Sequence, residues 1–285
     1  MDTELTIWPA PAKLNLFLHI IGQRADGYHN LQSLFQLLDY SDSLQIKVDN
    51  SSDIRVSANV NDIPLEENII YKAGKLLQET TGTTKGCHIQ LDKKLPMGGG
   101  LGGGSSNAAT TLIALNQLWD LGLTQTQLQQ LGLRLGADVP IFVFGQNAFA
   151  EGVGEQLSAV NLPEHYFLVV NPGVHVSTQK VFQHPDLPRN TARIDKETYS
   201  FLNSHNDCQK LVCEMYPNIA KTLGWLLQYA PSRMTGTGSC LFSIYNDKKA
   251  AEETLKKLPD GCTGFVAKGV NKSPLLDTLK QLKDK

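Results

Sequence analysis

Residues 95–107 read LPMGGGLGGGSSN, with six glycines in the seven positions from Gly98 to Gly104, and continue as AATTLIALNQLW. In this continuation, apolar side chains recur every three or four residues, which predicts one apolar face of a helix. The first amide groups of a helix have no intrahelical acceptor and carry a partial positive charge. A glycine run in front of them therefore predicts an anion site, with phosphate as the expected anion. We expect Ser105 or Ser106 to begin the helix.

Three more familiar roles of a glycine run fit this sequence less well. Glycine-rich stretches are often flexible linkers, but a linker does not normally lead straight into a strongly periodic helix. The run is not a Walker A motif, because it lacks the Lys followed by Ser or Thr that closes that motif. Pro96 stands where a dinucleotide-binding turn would need the end of a strand. The prediction is therefore a phosphate loop of another kind.

Length and composition indicate a soluble globular chain that is large enough for one big core or two domains, and we expect two. Of its 285 residues, 41% are apolar, and the formal net charge of −2 argues against a nucleic-acid partner, which would call for a basic surface. Five cysteines without a CxxC pair indicate neither a disulfide framework nor a zinc site. Residues 1–10 do not read as a signal peptide, and no stretch approaches the ~20 apolar residues of a membrane span. We therefore expect a cytoplasmic protein with no membrane partner.

The N-terminal part of the chain places polar side chains on a predicted strand and turn. Residues 6–21 alternate between two faces, which predicts a strand with Lys13 and Asn15 on the same face. A lone lysine on a strand is usually solvated, so this pattern alone does not mark a site. The DG pair that follows predicts a turn presenting Tyr28 and His29, although such side chains often only cover a core.

The rest of the chain shows alternating strand and helix patterns. Strands are predicted at 43–48, 53–60, 87–91, 166–170 and 264–268, with a pair of strands around a glycine turn in 232–245. Helices are predicted at 68–81, 108–121, 125–135, 218–229 and 247–258. Asn68 and Thr124 are the expected caps of two of these helices. Residues 183–216 predict only a loop and a helix.

The glycine run resembles the phosphate loop of the GHMP small-molecule kinases, whose pattern is a proline, two or three residues and then Gly-Leu-Gly-x-Ser-Ser. Other stretches resemble further motifs of that family, namely PAKLNL at 11–16, GADVP at 136–140 and GTGS at 236–239. The stretch RADGYHNL at 24–31 resembles a motif of one branch of the family, whose substrate is a cytidine diphosphate derivative.

This resemblance implies a fold and a reaction. The implied fold is α+β with two domains, a ribosomal-protein-S5-domain-2-like domain over 1–162 and a ferredoxin-like α/β domain over 163–285. The implied reaction is ATP-dependent phosphorylation of a hydroxyl group on the cytidine diphosphate derivative, in the non-mevalonate route to isoprenoid precursors. Mg²⁺ is expected with ATP, but no carboxylate cluster in the sequence marks a protein site for it.

The resemblance also implies roles for individual residues. Asp138 is expected to take the proton of the attacking hydroxyl, and Lys13 to steady the charge of Asp138 and of the transferring group. The expected ATP contacts are Asn68, Pro96, Met97, Gly98, Gly99, Gly100, Leu101, Gly102, Gly103, Gly104, Ser105, Ser106 and Asn107. The expected substrate contacts are Asn15, Tyr28, His29, Val153, Thr178 and Phe182.

Two other classes of function stay open at this point. One is a GHMP relative with different chemistry, such as a mevalonate-type kinase or decarboxylase, against which the residues Tyr28 and His29 in DGYH argue. The other is a protein of the same fold that binds a metabolite without turnover, against which an intact Lys13 and Asp138 argue. The sequence does not indicate an oligomeric state.

Overall fold

The computed structural model describes residues 6–60 and 63–284. The strands are β1 (Ile7–Gln23), β2 (His29–Asp49), β3 (Ile54–Ala58), β4 (Gly86–Asp92), β5 (Ala148–Glu151), β6 (Gln156–Ala159), β7 (Tyr166–Asn171), β8 (Ser232–Met234), β9 (Leu241–Tyr245) and β10 (Thr263–Val270). The helices are α1 (Ile69–Thr81), α2 (Gly103–Leu118), α3 (Gln125–Leu135), α4 (Val139–Phe144), α5 (Thr178–Gln183), α6 (Asp207–Met215), α7 (Pro217–Leu226), α8 (Lys248–Leu255) and α9 (Pro274–Lys283). Residues 1–5, part of the stretch that argued against a signal peptide, lie outside the described residues.

One continuous sheet runs through both halves of the described chain. Its ten strands follow the order β3-β4-β2-β10-β7-β9-β8, with β1 paired to β2 and the β5–β6 hairpin attached to β2 through β5. Strand β10 joins the halves, because Gly269 and Val270 pair with β2 while Thr263–Lys268 pair with β7. The two halves of the chain therefore share a backbone hydrogen-bond network.

Strand β2 is much longer than predicted. The sequence predicted a separate short strand beginning at residue 43, but β2 is a single strand of 21 residues. Strand β1 pairs along one edge of β2, and β5, β10 and β4 pair in succession along the other edge. Strand β1 pairs with Ser41 and Asp42 of the polar stretch before residue 43, while β10 and β4 pair with β2 on either side of that stretch. A local sequence pattern does not contain this information.

Three apolar clusters fill the space around the sheet. The first lies between the N-terminal strands and helices α1, α2 and α4, and includes Leu112 and Phe142. The second packs α6 and α7 against β7 and β9. The third lies between the two halves of the chain and is built from side chains of β1, β2, β7 and β9, among them Phe17, Phe167 and Phe242. The seam between the halves is thus built largely from buried apolar side chains.

The domain boundary at residue 162 stays a prediction. Helix α9, which was not predicted from the sequence, follows the last strand, yet its Leu275 is 1% exposed and belongs to the first cluster. Its signals were present, because Ser273 caps the helix and Pro274 is its first residue. The chain therefore returns to the N-terminal half after β10.

Helix α2 begins earlier than predicted. Ser105 and Ser106 lie within its first turn, and Gly102 is the N-cap, without a side-chain hydrogen bond. Gly102 has a φ of 71°, a left-handed conformation that glycine adopts without steric cost. The predicted caps of α1 and α3 are confirmed, because the side chains of Asn68 and Thr124 accept bonds from backbone N–H groups of their helices.

The buried guanidinium group of Arg233 ties β8 to β1 and to the loop before α6. It donates to the backbone oxygens of Leu16, Phe201 and Ser204 and to the hydroxyl of Ser204, at 2.5–3.2 Å. Burial lowers the pKa of Arg233 to about 10, so the group still carries its charge at neutral pH. Four acceptors in the seam between the halves therefore depend on one side chain.

Replacing Arg233 with methionine should destabilise the protein strongly. Arg233→Met keeps the apolar stem but leaves buried carbonyl groups without donors, each of which costs about 1–3 kcal/mol. We expect the free energy of unfolding, measured by urea denaturation, to fall by at least ~3 kcal/mol. The control is Arg193→Met, which removes an exposed ion pair with Glu151 and should cost under ~1 kcal/mol. Equal losses in the two variants would contradict the role of Arg233.

Candidate active site

Lys13 lies at the centre of the candidate site. Its side chain is almost fully buried, and Nζ donates to Asn15 Oδ1 at 2.5 Å and to the backbone oxygen of Gly100 at 3.1 Å. The same Nζ lies 3.1 Å from Asp138 Oδ2 and 5.4 Å from the centre of the Phe35 ring. The interpretation of Lys13 as a solvated strand lysine is therefore wrong. The structure brings the two predicted catalytic residues into direct contact.

Asp138 lies in the turn between α3 and α4. It immediately precedes Val139, the first residue of α4, but its side chain makes no capping bond to that helix. The carboxylate is 38% exposed, whereas the side chain of its partner Lys13 is 3% exposed. Asp138 thus lies in a turn, where aspartate is common, but its carboxylate does not cap α4. One carboxylate oxygen is held by the ammonium group, and the rest of the carboxylate remains accessible from the cavity beside it.

Asn15 orients the ammonium group of Lys13. Its Nδ2 donates to Ser33 Oγ at 2.8 Å, and Ser33 Oγ donates to the backbone oxygen of Phe17 at 2.6 Å. Because the amide nitrogen is engaged in this chain of bonds, the amide oxygen is left to face Lys13. Asn15, predicted as a substrate contact, is 4% exposed, and its side chain is committed to holding the lysine.

The glycine loop is held from the C-terminal half of the chain. The amide of Cys240 donates to the oxygen of Gly99 at 3.1 Å, and Thr235 Oγ1 donates to the oxygen of Gly100 at 3.3 Å. A Cβ atom on Gly99 would lie 2.4 Å from Cys240 Sγ, and one on Gly100 would lie 2.4 Å from the oxygen of Thr235. The segment that contains the GTGS motif at 236–239 therefore packs directly on the predicted phosphate loop.

Contacts within the protein also account for glycine at the start of α2. A Cβ atom on Gly102 would lie 2.7 Å from the Phe142 ring and 3.2 Å from Lys13 Cε, and one on Gly103 would lie 2.9 Å from Lys93 Nζ. Such distances under 3 Å require atoms to shift. From the sequence, we expected glycine here because it can turn through positive φ and approach a charged ligand closely. The structure adds a requirement that exists without any ligand.

Lys93 was not singled out from the sequence, although it lies three residues before Pro96, where the motif begins. Its Nζ pairs with Asp42, a carboxylate that is 0% exposed. The other oxygen of Asp42 accepts the backbone N–H groups of Lys94 and Leu95, both at 2.8 Å. These bonds fix the segment that enters the glycine loop, and they place a cation on the wall of the cavity described next.

A cavity of about 400 Å³ lies over the glycine loop and the start of α2. Its lining includes the whole stretch 96–105 together with Asn68, Lys93 and Asn107. Every predicted ATP contact except Ser106 lines this cavity. Ser106 is 0% exposed, and among the described residues its hydroxyl group has no hydrogen-bond partner. The structure thus gathers the predicted contacts around one space, while their role in binding ATP stays a prediction.

A second cavity, of about 980 Å³, meets the first at Gly100 and Ser105. Lys13 and Asp138 lie on its wall near this junction. All the predicted substrate contacts also line it, namely Asn15, Tyr28, His29, Val153, Thr178 and Phe182. The hydroxyl groups of Thr178 and Thr237, 2.9 Å apart, connect α5 to the glycine turn of the C-terminal half.

An aromatic and imidazole cluster lines part of the second cavity. The rings of His29 and Phe182 have centroids 5.3 Å apart and are tilted by 32°, while Tyr28 beside them is 64% exposed. This exposure does not fit the interpretation that Tyr28 covers a core. Burial, and to a smaller extent the charge of Arg189, lowers the pKa of His29. Arg189 lies in the stretch 183–216, where the sequence indicated no function.

Whether this site fits a metal ion depends on the side-chain oxygen atoms that lie where the two cavities meet. Within the described residues, no three or more His, Cys, Asp or Glu side chains gather closely enough to hold a metal ion. Ser105 and Asp138 both line the second cavity near the glycine loop. Such a sparse set fits Mg²⁺, which keeps several waters and binds through one or two protein groups plus substrate phosphates. Across residues 6–60 and 63–284, no helix is long and apolar enough to cross a membrane.

Comparison with known proteins gives the same family from sequence and from structure. Residues 68–146 match the GHMP kinases N terminal domain, and residues 195–263 match the GHMP kinases C terminal domain. A 4-diphosphocytidyl-2-C-methyl-D-erythritol kinase of Pseudoalteromonas atlantica is 57% identical over 99% of both chains. The enzyme of the same name from Shewanella loihica is 55% identical over 97% of this chain and 98% of its own length.

Solved structures agree with these matches. The crystal structure of a 4-(cytidine 5'-diphospho)-2C-methyl-D-erythritol kinase has a TM-score of 0.82 and 30% identity, and covers 93% of this chain and 100% of its own. A mevalonate kinase from Methanococcus jannaschii, at 17% identity and a TM-score of 0.68 over 95% of this chain and 100% of its own, shares the fold alone. The predicted two-domain α+β fold is confirmed. This chain belongs to the 4-diphosphocytidyl-2-C-methyl-D-erythritol kinase family of the GHMP kinases.

Proposed function

We propose that this protein transfers the γ-phosphoryl group of ATP to the 2-hydroxyl of 4-diphosphocytidyl-2-C-methyl-D-erythritol, forming the 2-phosphate and ADP in the non-mevalonate route to isoprenoid precursors. The names of its relatives support this assignment. The main observation that supports it is the position of the ion pair of Lys13 and Asp138. This pair lies where the cavity over the glycine loop meets the second cavity, which the DGYH residues line. Donor and acceptor bound in the two cavities would therefore meet at this pair.

Phosphoryl transfer requires positioning and charge stabilisation more than covalent chemistry by the protein. The amide groups of the glycine loop and of the first turn of α2 would hold the ATP phosphates. Asp138 would accept the proton of the 2-hydroxyl as its oxygen bonds to the γ-phosphorus and the bond from that phosphorus to the β,γ-bridging oxygen breaks. Lys13 would stabilise the negative charge that is shared among the transferring oxygens. ADP then leaves with the electron pair of the broken bond.

Mg²⁺ is part of this proposal because ATP is used with it. The hydroxyl of Ser105 is the protein oxygen that would face the ion, and the ATP phosphates would supply most of the other ligands. When bound, Mg²⁺ would neutralise charge on the phosphate oxygens. A cytoplasmic location, expected from the sequence, also stays a prediction.

The cytosine ring is proposed to bind between Tyr28 and Phe182, with His29 reading its edge. The exposure of Tyr28 and the tilted pair of His29 and Phe182 rings support this placement. Stacking attracts any base, so base selection requires hydrogen bonds. A metabolite-binding protein without turnover is the remaining alternative, and release of ADP in the presence of the cytidine substrate distinguishes it from a kinase.

Removal of the proposed base should abolish turnover while leaving ATP binding intact. In Asp138→Asn the side-chain volume is unchanged but the proton acceptor is lost, so kcat should fall at least ~10²-fold. Coupled ADP-release kinetics and calorimetric ATP binding are the two measurements. Asp260→Asn, at an exposed aspartate outside both cavities, should leave both unchanged. Near-normal turnover of Asp138→Asn would rule out this role.

Adding one methyl group to the loop should disturb both substrate binding and catalysis. In Gly102→Ala the new Cβ meets the Phe142 ring and Lys13 Cε, so the KM for ATP should rise and kcat should fall together. Gly122→Ala is the matched control, because its φ of 69° gives similar backbone strain with no neighbouring atom within 4 Å. If both variants have the same kinetics, strain alone explains the effect and the loop assignment is wrong.

Loss of the Phe182 ring should weaken the binding of cytidine and uridine nucleotides to a similar extent. A stacking contact is worth about 1–3 kcal/mol by alanine substitution and does not depend on the base. Phe182→Ala should therefore raise the Kd of both cytidine and uridine diphosphate, each by ~10-fold or more. Phe265→Ala removes a ring that stacks on Tyr40 instead and should leave both Kd values unchanged. Unchanged affinity in Phe182→Ala would refute the stacking site.

A further inference from the structure

Arg189 connects the two sides of the proposed base pocket. It lies in the irregular segment between α5 and α6, and its Nε donates to Nε2 of His29 at 3.1 Å. Its terminal nitrogens donate to the backbone oxygens of Phe182 and His184, at 3.0 and 2.8 Å, and of Leu187, at 3.0 Å. One guanidinium group therefore holds both the ring of His29, which is proposed to read the edge of the base, and the backbone of Phe182, whose ring is proposed to stack on it.

The bond from Arg189 determines where the proton of His29 sits. An arginine side chain has only donors and stays protonated in proteins. Nε2 of His29 must therefore accept, which requires a neutral ring with its proton on Nδ1. The lowered pKa of His29, caused by burial and then by Arg189, agrees with a neutral ring. Among the described residues Nδ1 has no hydrogen-bond partner, and the ring lines the second cavity.

We infer that Arg189 is a positioning residue for base selection, which fixes His29 as the Nδ1–H tautomer so that the cavity presents a hydrogen-bond donor to the base. Cytosine has an unprotonated ring nitrogen that accepts such a bond, whereas uracil carries an N–H group at the same position. Uracil would place two donors against each other, and a buried unpaired donor is costly. This inference rests on the proposed function, because it assumes that the base lies beside His29.

Binding of two nucleotides tests the inference without turnover. Calorimetry gives the Kd of cytidine 5'-diphosphate and of uridine 5'-diphosphate for the wild-type protein, Arg189→Leu and Arg189→Lys. The preference for cytidine is the ratio of the Kd of uridine 5'-diphosphate to that of cytidine 5'-diphosphate. Arg189→Leu should lower this ratio by about 10-fold, which is equivalent to about 1.4 kcal/mol and to the loss of one hydrogen bond. Arg189→Lys, which keeps one donor, should restore part of the preference. Arg193→Leu, in the same segment but paired with Glu151, should leave it unchanged.

The protonation state of His29 provides the readout that a merely structural role would not change. Nuclear magnetic resonance of protein with ¹⁵N-labelled histidine, assigned with His29→Gln, reports which ring nitrogen carries the proton. We expect Nδ1–H in the wild-type protein and a mixture of tautomers in Arg189→Leu. A wild-type ring with its proton on Nε2 overturns the inference, even if Arg189→Leu fails to fold.

Failure of the inference can be distinguished from failure of the proposed function. If the wild-type protein releases ADP with the cytidine substrate but Arg189→Leu keeps both the tautomer and the cytidine preference, Arg189 only ties the segment together and the inference is wrong. If the wild-type protein shows no ADP release, the proposed function is wrong, while the tautomer and the two Kd values still decide the role of Arg189.

Discussion

The burial of a single ammonium group is the constraint on which the rest of this structure depends. Removing a charged group from water costs several kcal/mol unless nearby groups compensate for the lost hydration. For Lys13 the compensating oxygens come from Asn15 on the same strand, from Gly100 in the glycine loop and from Asp138 at the start of α4. Two distant parts of the chain, the glycine loop and the start of α4, must therefore be correctly placed before this lysine is stable in its position. The proposed catalytic pair thus depends on the fold of the whole N-terminal half.

The glycine loop has a conformation that is largely set in the absence of ligand. Thr235 and Cys240 hold its backbone oxygens from the C-terminal half, and Asp42 fixes the segment that enters it. For the proposed role of this loop in holding ATP phosphates, a backbone fixed by these contacts needs little further ordering when ATP binds, and such preorganisation favours both affinity and catalysis. The many glycines of this loop therefore reflect close packing as much as flexibility.

Features with local causes could be predicted from the sequence, and features with distant causes could not. The caps Asn68 and Thr124 depend on residues two or three positions away, so their side-chain types were sufficient evidence. The unbroken β2 depends on partner strands from both halves, and the four-residue strands β5 and β6 are too short to show a period. The start of α2 was misplaced because serine is a common cap, while the actual N-cap is a glycine.

The candidate site divides in the same way. Lys13 and Asp138 stand in motifs of the family, so the resemblance located them before their contact was known. Lys93 and Arg189 stand in no such motif. The partner of Arg189 is 160 residues away in the chain, and an arginine in an irregular segment reads as a solvated surface residue until its neighbours are known.

The path of the chain after β10 has a consequence for synthesis on the ribosome. Helix α9 closes the N-terminal core with Leu275, and Ser273 donates its amide to the oxygen of Gly145 at 2.8 Å. A nascent chain in which residues 273–283 have not yet emerged must leave this apolar surface open to water, however much of the N-terminal half has been made. Completion of the N-terminal core therefore waits for a helix encoded after β10, so the two halves are not modules that gene fusion could exchange freely.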